Sequence, residues 1–219
     1  MRHMKTQNDR QTIDPQTVVA VVDDDDLVRG AVTDLFRSVG LQTKAFSSVD
    51  EFLQWSLHGQ ANCLVLDVRM QGSSGLDLQA ELNRVNVRIP VVFMSGHGDI
   101  QMSVRAIKNG AVDFLVKPFR DQDMIDAVQA GLQRDRQQRK IASDFARLKS
   151  TYDSLTSREQ QVMEFVTAGL ANKQIAGKIG VSEVTVKFHR GNVMRKMDAR
   201  SIADLVRMAD TLGVSRRVN

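Results

Sequence analysis

The sequence predicts an α/β domain with a parallel sheet, followed by a smaller all-helical domain. Three observations carry that prediction. Apolar runs alternate with helical patterns as far as about Gln133, the signature of a βα series. One of those runs, Cys63-Leu64-Val65-Leu66, has no polar interruption and reads as a strand buried on both faces. From about Leu155 onward only helical periodicity, cap residues and glycine stops remain.

Val18 to Val22 is the first strand, and it ends in Asp23-Asp24-Asp25-Asp26. Val28, Val32, Leu35, Phe36 and Val39 recur three or four apart, so a helix follows until Gly40 stops it. Asp25 and Asp26 belong to the acidic start that a helix dipole favours. Leu41 to Phe46 is a short second strand. Ser48 with Glu51 forms a capping box for a helix through Phe52, Leu53 and Trp55.

The third strand, from Asn62, runs directly into Asp67, and Gly72 to Gly75 then break the chain into a loop. A helix carrying Leu76, Leu78 and Leu82 comes next. Ile89 to Met94 is the fourth strand, ending at Ser95-Gly96-His97-Gly98. Asp99 caps a helix with Met102, Val104 and Ile107, which Gly110 closes. Val112 to Val116 is the fifth strand, ending at Lys117-Pro118, and Asp121 starts a fifth helix. Five parallel strands with helices on both faces result.

At 219 residues the chain is natural for two domains, and 42% apolar with 26% charged residues is ordinary for a globular protein. Cys63 is the single cysteine, so an internal disulfide is excluded, and its place in the strand makes it a small buried hydrophobe. Met1 to Gln16 is polar and not a signal peptide. No run approaches the roughly 18 apolar residues of a membrane helix. A cytoplasmic setting without membrane contact is expected. Residues 141–219 hold 13 Lys/Arg against 8 Asp/Glu, whereas residues 1–140 hold 17 against 18. A basic C-terminal third suits a polyanionic partner.

The polar groups at the strand ends form one chemical set. Asp23 and Asp24 close the first strand, Asp67 the third, Ser95 the fourth and Lys117 the fifth. Open α/β sheets hold ligands at the carboxyl ends of their strands. Carboxylates brought together there repel unless a cation joins them. Mg²⁺ (or Mn²⁺) takes such oxygen ligands, keeps several waters and binds beside phosphate. With a hydroxyl and a lysine, the set suits phosphoryl transfer onto a carboxylate. His97 lacks a partner ligand at useful spacing, and Ser-Gly-His-Gly is not a phosphate loop of the Gly-x-x-x-x-Gly-Lys type.

Val21-Val22-Asp23-Asp24, Leu64 to Met70, Met94 to Gly98 and Phe114 to Phe119 together resemble the receiver domain of two-component response regulators, a flavodoxin-like fold, over about 100 residues. The resemblance implies that Asp67 is the phosphoacceptor. It implies that Asp24, Asp67 and the carbonyl of Arg69 hold the metal, with Asp23 assisting through water. Ser95 and Lys117 would hold the phosphoryl group, Phe114 would move with Ser95, and Lys117–Pro118 would be cis. Gln71 stands where members usually carry proline, which puts the loop and the phosphate lifetime in question.

Arg134 to Lys140 is charged or amide throughout and reads as a continued, solvated helix. Ile141, Phe145, Leu148, Tyr152 and Leu155 then form a short stripe, which fits packing on one of its own domains or a dimer seam. Thr156 to Glu159 is a capping box for a helix through Val162, Met163, Phe165 and Val166. Asn172 caps a second helix, with Ile175, Ala176 and Ile179, that stops at Gly180. Ser182 caps a third, running to about Met197, and a fourth covers Ile202 to Leu212. The short turn Gly180-Val181-Ser182 gives helix-turn-helix spacing.

Val186, Val193 and Met197 make the inward stripe of the third helix. Lys187, Phe188, Arg190, Arg195 and Lys196 are left outward or at its flanks, a face suited to the major groove. Leu155 to Glu159, Asn172 to Ala176 and Thr185 to Arg190 resemble the LuxR-type helix-turn-helix over roughly 60 residues. The resemblance implies that Lys187, Phe188 and position 191 face bases, while Lys173, Thr185 and Lys196 meet the backbone; Arg190 belongs to the same DNA-binding face. His189 would pack on its own domain. Gly191 departs from the pattern, because a side chain often reads DNA there.

The whole chain resembles a FixJ-type response regulator, in the pattern of members that control aromatic catabolism or symbiotic genes. The expected organisation is a tail at 1–16, a receiver at 17–133, a helical linker at 134–154 and a DNA-binding domain at 155–219. The expected function is a phosphorylation-controlled transcription regulator, an activator and not an enzyme beyond assisting its own phosphorylation. Its implied partners are a sensor histidine kinase, double-stranded promoter DNA, RNA polymerase and, when phosphorylated, a second copy. Two other readings stay open: a phosphate-sink adaptor binding protein or RNA, and a DNA binder indifferent to phosphorylation.

Overall fold

The structure, a computed structural model, describes residues 17–56, 61–70 and 72–214. The tail expected at 1–16 and the departure noted at Gln71 lie outside the described residues. Contacts divide the chain into two compact units, Met1–Gln137 and Gln138–Asn219.

In the first unit the five predicted strands are β1 (Val18–Val22), β2 (Gln42–Phe46), β3 (Cys63–Asp67), β6 (Val91–Ser95) and β7 (Asp113–Val116). All pair in parallel, in the order β2-β1-β3-β6-β7. Between β3 and the next helix, Arg69–Met70 (β4) and Ser73–Ser74 (β5) pair antiparallel, where only a loop was expected. Two residues a side are too short to show a period. Helices α1 (Asp26–Ser38), α2 (Val49–Ser56), α3 (Gly75–Arg84) and α4 (Ile100–Lys108) alternate with the strands, and α5 starts at Asp121 and runs on to Asp153.

Alternation along each central strand divides the core between the two faces. Ala20, Val22, Leu64, Leu66, Val91 and Phe93 enter the layer that holds α2 and α3 residues such as Phe52 and Leu76. Val19, Val21, Cys63, Val65, Val92 and Met94 enter the layer with Phe36 of α1 and Met124, Val128 and Leu132 of α5. Cys63 is fully buried and its thiol is pushed up to about 12, first by burial and then by the charge of Asp135. It is the inert hydrophobe the sequence suggested.

The helix starts mostly follow the cap residues. Asp25 accepts from the backbone N–H groups of Leu27 and Val28, and Asp99 from that of Gln101. The box at Ser48 is only half formed. Its hydroxyl accepts from Glu51 N, but the Glu51 carboxylate bonds Ser47 instead.

The second unit packs Leu148, Tyr152 and Leu155 against α6 (Ser157–Thr167), α7 (Asn172–Ile179), α8 (Glu183–Lys196) and α9 (Ile202–Leu212) around one apolar cluster. Those three residues of the connector stripe therefore pack on their own domain, while Ile141 and Phe145 are exposed. Thr156 and Glu159 complete the predicted capping box, and Ser182 caps α8. Asn172 does not cap α7: the cap position is Ala171, whose N–H is taken by Gln174. The turn into α8 begins at Gly180 with φ of 70°, a conformation glycine enters without Cβ strain.

Candidate functional site

The strand register assembles the first site. Val22 is opposite Leu66, so Asp23 and Asp67 emerge side by side from β1 and β3. Asp67 is opposite Met94, which puts Ser95 one residue further along β6. Ser95 pairs with Val116, and the Lys117 N–H donates to the Ser95 carbonyl at 2.8 Å. The β1/β3 boundary is also where the strand order reverses, the crevice in which open α/β sheets place ligands.

Three of the expected side chains are in direct contact. The Lys117 ammonium donates to Asp23 Oδ2 and to Asp67 Oδ1, each at 2.6 Å. Asp23 and Asp67 are buried, at 1% and 5% exposure. Asp23 Oδ1 accepts from Asp25 N at 2.9 Å, and Asp67 Oδ2 accepts from Arg69 N at 2.7 Å. Burial pushes the Asp67 carboxyl above its ordinary value, the Lys117 hydrogen bond and charge oppose that without cancelling it, and the Asp23 charge adds to the rise. Burial works against the Lys117 ammonium, but its two carboxylate partners prevail and hold it above the usual lysine value.

The other expected residues stand nearby in different settings. Asp24 is exposed. Ser95 is buried with its hydroxyl engaged locally, donating to the His97 carbonyl at 2.9 Å and accepting from the His97 N–H at 3.2 Å. Phe114 is half-buried, its ring 6.3 Å from that of Phe93. The Lys117–Pro118 peptide bond is cis, as the resemblance implied.

Two further residues shape this site, and sequence reasoning passed over them. Arg29 donates to the Asp23 carbonyl at 2.7 Å and pairs with Asp26, clamping the turn that carries Asp23 and Asp24. Its only sequence signal is the three-residue spacing from Asp26. Gly75 starts α3 so close beneath Asp67 that a Cβ would run into the Asp67 carbonyl oxygen.

Among the described residues no three His, Cys, Asp or Glu side chains gather as a ready metal cluster. The donor set nevertheless fits Mg²⁺, which needs few protein ligands because it keeps several waters. Two buried carboxylates lie within reach of one ammonium, beside an exposed carboxylate and the turn at Arg69. These are hard oxygen donors in a site with surplus negative charge.

In the second unit α8 buries Val186, Val193 and Met197 and turns Lys187 and Phe188 outward, Phe188 being 65% exposed. Lys173 is exposed, and the Thr185 hydroxyl is within 2.8 Å of that of Ser182. A Cβ at Gly191 would meet nothing within 4 Å, so this outward position is open. His189 is half-buried, and its Nδ1 is buried without a hydrogen-bond partner. Arg190 donates to Asn172 Oδ1 at 3.0 Å. Lys196 donates to Glu159 Oε2 at 2.7 Å, an ion pair that no sequence motif announced.

Comparison with known proteins agrees with both halves. Residues 19–129 match the response regulator receiver domain, and residues 153–209 match the bacterial regulatory proteins of the luxR family. Nodulation protein W of Bradyrhizobium diazoefficiens is 55% identical over 200 residues, covering 91% of this chain and 88% of that one. Transcriptional regulatory protein FixJ of Azorhizobium caulinodans is 44% identical, covering 90% and 93%. The solved structure of the response regulator StyR superposes with a TM-score of 0.78 at 45% identity, covering 89% of this chain and 98% of that one. The chain is thus a two-component response regulator, a receiver joined to a DNA-binding output domain. Within that class it belongs to the FixJ type, whose output domain is the LuxR-type helix-turn-helix. Neither matched family is an enzyme family. No helix of the described residues is long and apolar enough to cross a membrane.

Proposed function

We propose that Asp67 accepts a phosphoryl group from a sensor histidine kinase, and that the modified receiver controls promoter binding by the helix-turn-helix domain. The observation that carries this reading is the single Lys117 ammonium bonded to both Asp23 and Asp67 at adjoining strand ends. Asp67 attacks phosphorus through a carboxylate oxygen, the kinase imidazole leaves, and an acyl phosphate results. Lys117 then follows the new charge, and the Ser95 hydroxyl exchanges its His97 contacts for a phosphoryl oxygen. Phe114 moves in the same rearrangement. Asp24, Asp67 and the Arg69 carbonyl would hold Mg²⁺, with Asp23 assisting through a water, and the bound ion would supply the charge neutralisation that phosphoryl transfer needs.

The proposed organisation is a receiver at 17–133, a helical linker at 134–154 and a DNA-binding domain at 155–219. In the output domain, Lys187 and Phe188 read bases while Lys173 and Thr185 meet the backbone, and Arg190 belongs to the same face. Phosphorylation favours a homodimer whose two α8 helices meet half-sites about one helical turn apart. The bound dimer acts as an activator by engaging RNA polymerase.

Labelling with a small phosphodonor and Mg²⁺ tests the acceptor. Wild type should acquire a hydroxylamine-labile acyl phosphate and shift promoter DNA more tightly, and Asp67→Asn should do neither. Labelling that survives in Asp67→Asn defeats the assignment.

A further inference from the structure

Lys196 lies in the last turn of α8, on the helix that faces DNA, where a lysine would ordinarily be read as a phosphate contact. Its surroundings assign it elsewhere. The ammonium donates to Glu159 Oε2 at 2.7 Å, and Glu159 is 3% exposed. The same carboxylate oxygen accepts from the Thr156 N–H at 2.8 Å, while the Thr156 hydroxyl accepts from the Glu159 N–H at 3.3 Å. One buried carboxylate thus caps the start of α6 and holds the end of α8, across 37 residues of sequence. Removing Lys196 leaves the buried Glu159 carboxylate without its cation.

Lys187 and Lys173 differ in kind. Both are exposed, and neither is engaged in any ion pair found among the described residues. Each is available to displace counterions from a duplex. Lys196 already carries its own counterion within the fold.

We infer that Lys196 is a positioning residue for DNA binding: with Glu159 it latches the C-terminal end of α8 to the N-terminus of α6, and its charge does not count among those that neutralise phosphates. The latch rests on the reading of α8 as the helix that meets DNA. A phosphate contact contributes about 0.9 to the slope of log affinity against log salt. A residue that only fixes the helix lowers affinity equally at every salt concentration.

The test is anisotropy titration of the full chain with a fluorescent mixed-sequence duplex over a salt series. Lys173→Met, which removes a phosphate contact, should flatten the slope by about 0.9. Lys196→Met should weaken binding several-fold with a line parallel to wild type. Glu159→Gln keeps an acceptor for the Thr156 cap but removes the charge, and it should reproduce the parallel weakening. The double variant should be no weaker than the worse single one. Circular dichroism checks folding; if Lys196→Met does not fold, Glu159→Gln alone decides. The latch is overturned by a Lys196→Met line flattened like the Lys173→Met line, by a strictly additive double variant, or by a Glu159→Gln that binds as wild type. A slope unchanged in Lys173→Met would instead defeat the placement of the helix-turn-helix on DNA.

Discussion

Both units contain a buried carboxylate bonded to a lysine, and the two carboxylates respond in opposite ways. Asp67 is held above its ordinary value and Glu159 below it, although burial pushes both upward. The partners make the difference. Glu159 has the Lys196 ammonium to itself and adds the Thr156 N–H, which together outweigh desolvation. Asp67 shares Lys117 with Asp23, so half the cation is spent elsewhere and a like charge sits alongside. The first arrangement is a closed structural pair. The second keeps unneutralised negative charge at a strand end, a setting that attracts a hard cation.

The largest expected effect comes from abolishing the shared cation. Lys117→Met leaves Asp23 and Asp67 facing each other, and removing one member of a buried pair costs about 3–5 kcal/mol. Urea unfolding followed by Trp55, the only tryptophan and a receiver residue, measures it. A loss below about 1 kcal/mol, the range of surface pairs, would mean that the pairing carries no structural weight.

Next come the neutral isosteres, which should move stability in opposite directions. Folding raises the Asp67 carboxyl above 3.8, so its ionised form costs stability at neutral pH, and that cost shrinks as pH falls below the folded value and is gone below 3.8. Asp67→Asn should therefore melt above wild type at pH 7, with the gap closing in acid. Folding lowers the Glu159 carboxyl below 4.5, so its contribution is complete above that pH and is lost as pH falls through the folded value. Glu159→Gln should melt below wild type at pH 7, with its gap closing only in stronger acid. Calorimetric melting of both variants from pH 7 downward checks this, and gaps of the same sign would break the contrast.

The smallest effect sharpens the second unit alone. Gly191 lies mid-helix on α8 with open space around it, so Gly191→Ala should stabilise by about 1 kcal/mol. Nonspecific duplex affinity should stay unchanged.

The sheet and the convergence at its carboxyl edge were legible because a parallel βα series forces successive strand ends to one side. Asp23 and Lys117 meet across 94 residues for that reason alone. What escaped depends on which of several partners a side chain chooses in three dimensions. Asn172 has the chemistry of a cap, but its amide oxygen is taken by Arg190, and Ala171 holds the cap position. Lys196 reads as a surface cation until Glu159, buried on another helix, claims it. Asn62 looks like the entry to a strand, yet it accepts from Val18 N and donates to the buried Asp135 of α5. Position along a strand follows from topology; selection among equivalent donors does not follow from spacing.

The resting engagement of Ser95 has a mechanical corollary. The His97 carbonyl that takes the Ser95 hydroxyl also takes the Asp99 N–H at 3.0 Å, and the Asp99 carboxylate caps α4. A hydroxyl drawn away from His97 strips one acceptor and one donor of a partner at a residue that Gly96 and Gly98 flank. The first helix to register a departure at β6 is therefore α4, reached through main-chain atoms, and replacing the His97 imidazole leaves that route intact.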